Sequence, residues 1–146
     1  MDAKMTAQDR NEELIRRFYY LAEGASKDTP KLVSMFADGG YFWNVADGSK
    51  YFGADTGIPV DIYATAFPDI HRELDSFYLD DNVVIVELSL NGTHKGDLPT
   101  SSGTIRATGK AMHTPCCDVF HIENGKITSF HCYLAVTIML AQLGLA

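Results

Sequence analysis

The chain has 146 residues, 46% hydrophobic, 11% aromatic and 21% charged, which suits one domain with its own core and excludes a disordered chain. Twelve Lys plus Arg against nineteen Asp plus Glu give a formal net charge of −7, the wrong sign for nucleic-acid binding through the phosphate backbone. No stretch approaches the roughly 18 consecutive apolar residues of a membrane helix, so no membrane span is expected.

Met1-Asp2-Ala3-Lys4 leads into polar residues and lacks the apolar segment of a secretory leader. Thr6 to Ala25 is predicted as a first helix. Thr6 and Asp9 form a capping-box start, and Leu14, Phe18, Leu21, Ala22 and Ala25 recur at helical spacing as the buried stripe. Thr29-Pro30 opens a short second helix carrying Leu32, Val33, Met35 and Phe36, ended by Asp38-Gly39-Gly40. Tyr41 to Val45 reads as a strand, and Ala46 to Gly57 as a Gly/Asp-rich loop. Ile58 to Phe67 reads as a third helix stopped by Pro68.

From Ile70 the chain turns to β. Asp80-Asp81-Asn82 is a turn, Val83 to His94 a long strand rich in β-branched residues, and Lys95 to Gly103 a loop. Thr104 to Ile122 is a second long strand, Glu123-Asn124-Gly125-Lys126 a hairpin turn, and Ile127 to Leu134 the last strand. Val136 to Leu143 closes the chain as an apolar helix stopped by Gly144. Helices first and antiparallel strands second make an α+β fold, read as one domain over residues 1–146.

The hairpin register decides which side chains share a face. A two-residue turn at Asn124-Gly125 places Asp118 opposite His131. A bulged turn at Gly125 places Asp118 opposite Phe130 and Cys116 opposite Cys132. The bulged reading gathers Cys116, Asp118, Phe120, Phe130, Cys132 and Leu134 on one face, apolar with a single acid, as the wall of a pocket is. It leaves Cys117, Val119, His121, Ser129, His131 and Tyr133 on the other. Burial among Cys and Phe raises the pKa of such an acid, and a neutral carboxyl can donate a hydrogen bond to a developing oxyanion. Asp118 is therefore the first catalytic candidate. Asn44, sharing a strand face with Phe42, can orient a carbonyl or hydroxyl. His94 ends the long strand in phase with Leu88 and Leu90, placed to act as acid or base at a pocket rim.

The three cysteines, Cys116, Cys117 and Cys132, are odd in number and contain no C-x-x-C pair. Free thiols in a reducing, cytoplasmic setting are expected, without a disulfide framework or zinc site. His71, His113, His121 and His131 show no metal-ligand spacing, and no Gly-rich phosphate loop or nucleophile elbow occurs. No cofactor or metal is called for.

Several stretches together resemble one family: Arg16-Arg17-Phe18-Tyr19-Tyr20, Met35-Phe36-Ala37-Asp38 with Tyr41-Phe42-Trp43-Asn44, Phe67-Pro68-Asp69-Ile70, Gly92-Thr93-His94-Lys95-Gly96, Asp118 to Ile127, and Gln142-Leu143-Gly144. The chain resembles the SnoaL-like polyketide cyclases and the related ketosteroid isomerases of the nuclear-transport-factor-2-like superfamily. The resemblance implies a cone: a strongly curved antiparallel sheet closed by N-terminal helices around an apolar pocket, dimerising through the outer sheet face. It implies a small hydrophobic carbonyl compound as partner, isomerised or cyclised through an enolate without a cofactor, or bound without turnover by a module that lost the chemistry. It puts Asp118 at the isomerases' protonated Asp, Asn44 at their catalytic Asp, and Cys132 at the cyclases' last-strand Asp. An ungapped count puts Tyr20 at the isomerases' oxyanion Tyr; a two-residue insertion puts Phe18 there. The implied lining is Phe18, Tyr20, Leu88, Leu90, Cys116, Phe120, Phe130, Cys132 and Leu134.

Overall fold

The computed structural model describes residues 5–145; the N-terminal segment read above as no leader lies outside them. The elements run α1 (Ala7–Ala22), α2 (Thr29–Ser34), β1 (Phe36–Asn44), β2 (Ser49–Phe52), a 3-10 turn (Gly53–Gly57), α3 (Ile58–Ala66), β3 (His71–Asp80), β4 (Val83–Thr93), β5 (Leu98–Thr100), β6 (Gly103–Ile105), β7 (Ala111–Glu123), β8 (Lys126–Leu134) and α4 (Val136–Gln142). Six strands form a curved mixed sheet in the order β2-β1-β8-β7-β4-β3, and β5-β6 make a separate two-stranded flap. The sheet is open, with β2 and β3 as its edges.

The α+β class stands, but the sheet is not wholly antiparallel. β1 and β8 run parallel, pairing Phe42 with Phe130 and Asn44 with Cys132. Local sequence cannot show this, because the two strands sit at opposite ends of the chain. β1 also starts earlier than expected. Met35 caps α2 and Phe36 already pairs with Ile127, so Asp38-Gly39-Gly40 forms a bulge within the strand. Gly39 supplies its left-handed residue at φ +73. The expected loops at 46–57 and 95–103 contain β2, the 3-10 turn and most of the flap. The predicted strand from Thr104 begins only at Ala111.

Capping fixes the helix starts. Thr6 accepts from the Asp9 amide and Asp9 from the Thr6 amide, as the capping box predicts. Asp28, one residue earlier than expected, caps α2 through the Lys31 amide at 3.1 Å. The buried face of α1 carries Asn11, Ile15, Phe18, Tyr19, Leu21 and Ala22. Leu14 is only half-buried and Ala25 exposed, so the stripe lies slightly rotated from the predicted one. Phe18 lies across one face of the sheet, its ring 5.2 Å from Phe130 and 5.3 Å from Phe120. A buried phenylalanine contributes roughly 1.5–3 kcal/mol.

The β7–β8 register corrects both sequence readings. The turn has two residues, Asn124 and Gly125, both left-handed, with Glu123 opposite Lys126. A register shift follows at once, and His121 faces Ser129. The extra residue is Thr128, whose hydroxyl donates to the His121 carbonyl at 3.1 Å. Asp118 therefore pairs with Cys132, and Cys116 with Leu134. The pairings differ from both expectations, yet the bulge rephases β8 so that Phe130, Cys132 and Leu134 share the Asp118 face.

Candidate functional site

Register alone builds the site. One cross-strand row runs Val86, Asp118, Cys132, Asn44, Ser49 over β4, β7, β8, β1 and β2. The next row on that face is Val84, Phe120, Phe130, Phe42, Tyr51. On the other side lies Leu74, Leu88, Cys116, Leu134, and beyond it Arg72, Leu90, Thr114. The polar side chains thus sit between apolar rows, under α1.

A cavity of about 50 Å³ opens there. Phe18, Leu90, Cys116, Phe130, Cys132 and Leu134 line it as expected, together with Asp118 and Asn44. So do Tyr19, Ala22, Phe42, Pro59, Val60, Tyr63 and Arg72, which sequence reasoning left out. Asn44, Pro59 and Tyr63 also line a larger chamber of about 470 Å³ between the flap, α3 and α4. Asn44, Pro59 and Tyr63 thus border both spaces: a narrow one at Asp118 and a wider one under the flap.

Asp118 is 3% exposed. Its Oδ2 accepts from the Tyr19 hydroxyl at 2.7 Å, and its Oδ1 from the Cys116 thiol at 3.2 Å. Burial pushes its pKa above the ordinary Asp value; the donors Tyr19, Cys116 and Cys132 and the charge of Arg72 offset part of that rise. Burial and the neighbouring Asp118 push the Tyr19 hydroxyl well up, so it stays a donor. The hydrogen bond with Cys132, burial and Asp118 push the Cys116 thiol up. Cys132 is drawn down by Cys116, but burial and Asp118 leave it raised. Neither thiol is the thiolate that nucleophilic chemistry requires. Their Sγ atoms lie 3.8 Å apart. With Asp118 they place three ligating atoms within 4.8 Å of one another, close enough to hold a metal ion. The expected hairpin face put these three residues together, but no ligand spacing along the chain marked them as a metal set, because the grouping forms across strands.

Four expected residues lie elsewhere. Tyr20 is 64% exposed on the far side of α1, because helical phase turns it away. Its neighbour Tyr19 takes the place by Asp118, a position neither count from Asp38 produced. Leu88 and Phe120 are buried on the correct face but pack into the core and do not line the cavity. His94 is not at a pocket rim and is not part of the cavity lining. It is fully buried against Phe67, and its Nδ1 accepts from the Thr108 amide at 3.2 Å. Its own carbonyl accepts from the Gly109 amide. His94 thus ties together the two ends of the flap. Its Nε2 is buried without a hydrogen-bond partner among the described residues.

The family model of the SnoaL-like domain matches residues 15–130. The chain belongs to the SnoaL-like domain family. No curated protein sequence matches this SnoaL-like domain. Solved structures resemble it in fold. A protein described as a SnoaL-like polyketide cyclase from Jannaschia sp. CCS1 superposes with a TM-score of 0.82 at 13% identity, covering 100% of this chain and 99% of that one. A protein of ketosteroid isomerase-like fold from Catenulispora acidiphila DSM 44928, in complex with trimethylamine, gives 0.75 at 21% identity, covering 92% and 94%. An LEH-like epoxide hydrolase from M. tuberculosis gives 0.69 at 16% identity, covering 94% and 92%. Three such different descriptions on one fold leave the chemistry to the site. In this SnoaL-like domain no described helix is long and apolar enough to cross a membrane.

Proposed function

We propose that this SnoaL-like domain is an isomerase or cyclase that enolises a small hydrophobic carbonyl compound, with Asp118 moving the proton. The observation that carries this reading is Asp118 itself. It is a buried carboxyl with a raised pKa on the wall of a small, largely apolar cavity, fixed by the Tyr19 hydroxyl at 2.7 Å. Raising a carboxyl toward the working pH suits it to take a proton and give it back. The substrate lies along the cavity with its carbonyl between Asp118 and Asn44, both of which line it. Ionised Asp118 takes a proton from the carbon beside the carbonyl. The C–H electron pair moves onto the carbonyl oxygen, and the Asn44 amide N–H donates to that oxyanion. Where a C=C bond lies next to the deprotonated carbon, Asp118 returns the proton to the far carbon of the dienolate and the double bond shifts. Where the molecule carries a second carbonyl, the enolate carbon adds to it, its C=O pair becomes an alkoxide, and that alkoxide takes the proton back from Asp118. Asp118 takes the base role that the resemblance assigned to the position of Asn44, and His94 has no part in the step.

The test is solvent exchange of the α-protons of cyclohexanone in D2O, followed by NMR. The wild type accelerates exchange over buffer, and Asp118→Asn loses about a hundredfold or more of that acceleration. Equal rates for the two proteins overturn the reading. A second reading, ligand binding without turnover, draws on the way Tyr19, Asp118 and Cys116 already satisfy one another without a ligand. Binding of cyclohexanone with no acceleration supports it.

The protein is also proposed to be a homodimer paired through the outer sheet face. Tyr41, Trp43, His131 and Tyr133 cluster there, with Tyr41 bonded to His131 at 3.0 Å and Tyr133 45% exposed. A two-fold pairing covers such an aromatic patch.

A further inference from the structure

We propose that Arg72 makes this site selective for an anionic substrate: a small molecule bearing a carboxylate on an apolar body. The inference deepens the enolisation reading and rests on the same cavity as its ligand site.

Among the described residues, Arg72 is the only lysine or arginine lining the inner cavity. It sits in β3 opposite Leu90, half-buried, in the row next but one to Asp118. Its guanidinium is a planar cation with five N–H donors. One of them, on Nη1, donates to the Ala22 carbonyl at 2.8 Å. Among the described residues no carboxylate forms an ion pair with this guanidinium. The two nearby acids are both engaged otherwise. Glu23 accepts from the Arg72 backbone amide at 2.9 and 3.0 Å and pairs with His71 at 3.3 Å. Asp118 is held by Tyr19 and Cys116. Its remaining donors are not buried, so they are open both to solvent and to a ligand entering this largely apolar cavity.

The shape of the group selects the anion. A guanidinium presents a planar fork that matches a carboxylate through two parallel bonds. A phosphate is normally held by several cations or a helix N-terminus, and this cavity offers one cation. A carboxylate at Arg72 places the carbon chain between Arg72 and Asp118. The proton that Asp118 removes then lies beside the ketone of a keto acid, with its oxyanion at Asn44.

Calorimetry with phenylacetate and its neutral amide, phenylacetamide, tests the proposal. Wild-type protein is expected to bind phenylacetate at least tenfold tighter than the amide. Arg72→Met removes that preference while amide binding persists. Arg72→Lys, which keeps the charge and loses the fork, retains part of it. Asp118→Asn, which removes an acid from the same cavity, keeps or strengthens it. Equal affinity for the two probes, a preference surviving Arg72→Met, or binding of neither probe overturns the proposal. Inorganic phosphate displacing phenylacetate at comparable concentration overturns the choice of carboxylate. Exchange of cyclohexanone involves no carboxylate. Intact exchange with no anion preference therefore defeats this inference alone, and lost exchange with the preference intact defeats only the proton chemistry.

Discussion

At Asp118 the same burial that equips a carboxyl for proton transfer also sets a pH dependence of stability. Its pKa is raised in the folded state relative to the unfolded chain, chiefly by burial. The folded protein therefore holds this proton to higher pH than the unfolded protein does. Stability contributed by the neutral carboxyl is fully present below the ordinary Asp range and is lost as pH rises through the raised folded value. Urea unfolding midpoints of the wild type should fall with rising pH over that window, relative to those of Asp118→Asn, which has no proton to lose there. Parallel midpoint curves for the two proteins count against a raised Asp118. This residue was legible in the sequence because one acid among Cys and Phe on an alternating strand stands out. Tyr19 was not, since adjacent aromatics at 18, 19 and 20 leave helical phase to choose among them, and the choice depends on how α1 is rotated on the sheet. Arg72 was hidden by a strand whose alternation looks like an ordinary exposed edge.

At the scale of elements, most starts and stops were legible because capping boxes, prolines and left-handed turns are local. What escaped was the phase of strands interrupted by bulges. Thr128 in β8 and the Asp38-Gly39-Gly40 segment in β1 each rephase their strand, and no period-2 pattern announces such a shift. Gly40 has a further reason to be glycine. A Cβ there would sit 2.7 Å from the Ile127 carbonyl oxygen and 2.9 Å from that of Ala37, wedged between β1 and β8. Gly40→Ala should cost roughly 1–3 kcal/mol in urea unfolding. It should also weaken phenylacetamide binding, because Asn44 is carried on the same strand. Unchanged stability would show that β1 has room to move away from β8.

For the whole molecule, the sheet separates two environments. One face carries the cavity, and the other the aromatic cluster of Tyr41, Trp43, His131 and Tyr133, with Lys50 lying 5.0 Å from the Tyr41 ring centroid and 5.5 Å from that of Trp43. Light scattering at micromolar concentration should give the mass of two chains. Tyr133→Glu should shift it toward one chain with little loss of fold. A wild-type mass of one chain defeats the proposed pairing.

The parallel contact between β1 and β8 also bears on how the molecule comes to exist. Asn44 and Cys132 pair across about ninety residues of chain, and contacts of such long range are the slow ones in folding. During synthesis β1 emerges before β8 and must wait, its inner edge unpaired, until β8 has been made. The hairpin β3–β4 forms from near neighbours long before that edge is filled. The row that unites Asn44 with Asp118 is thus the closing step of assembly: the chain has no site to offer any ligand until its last strand has found its first.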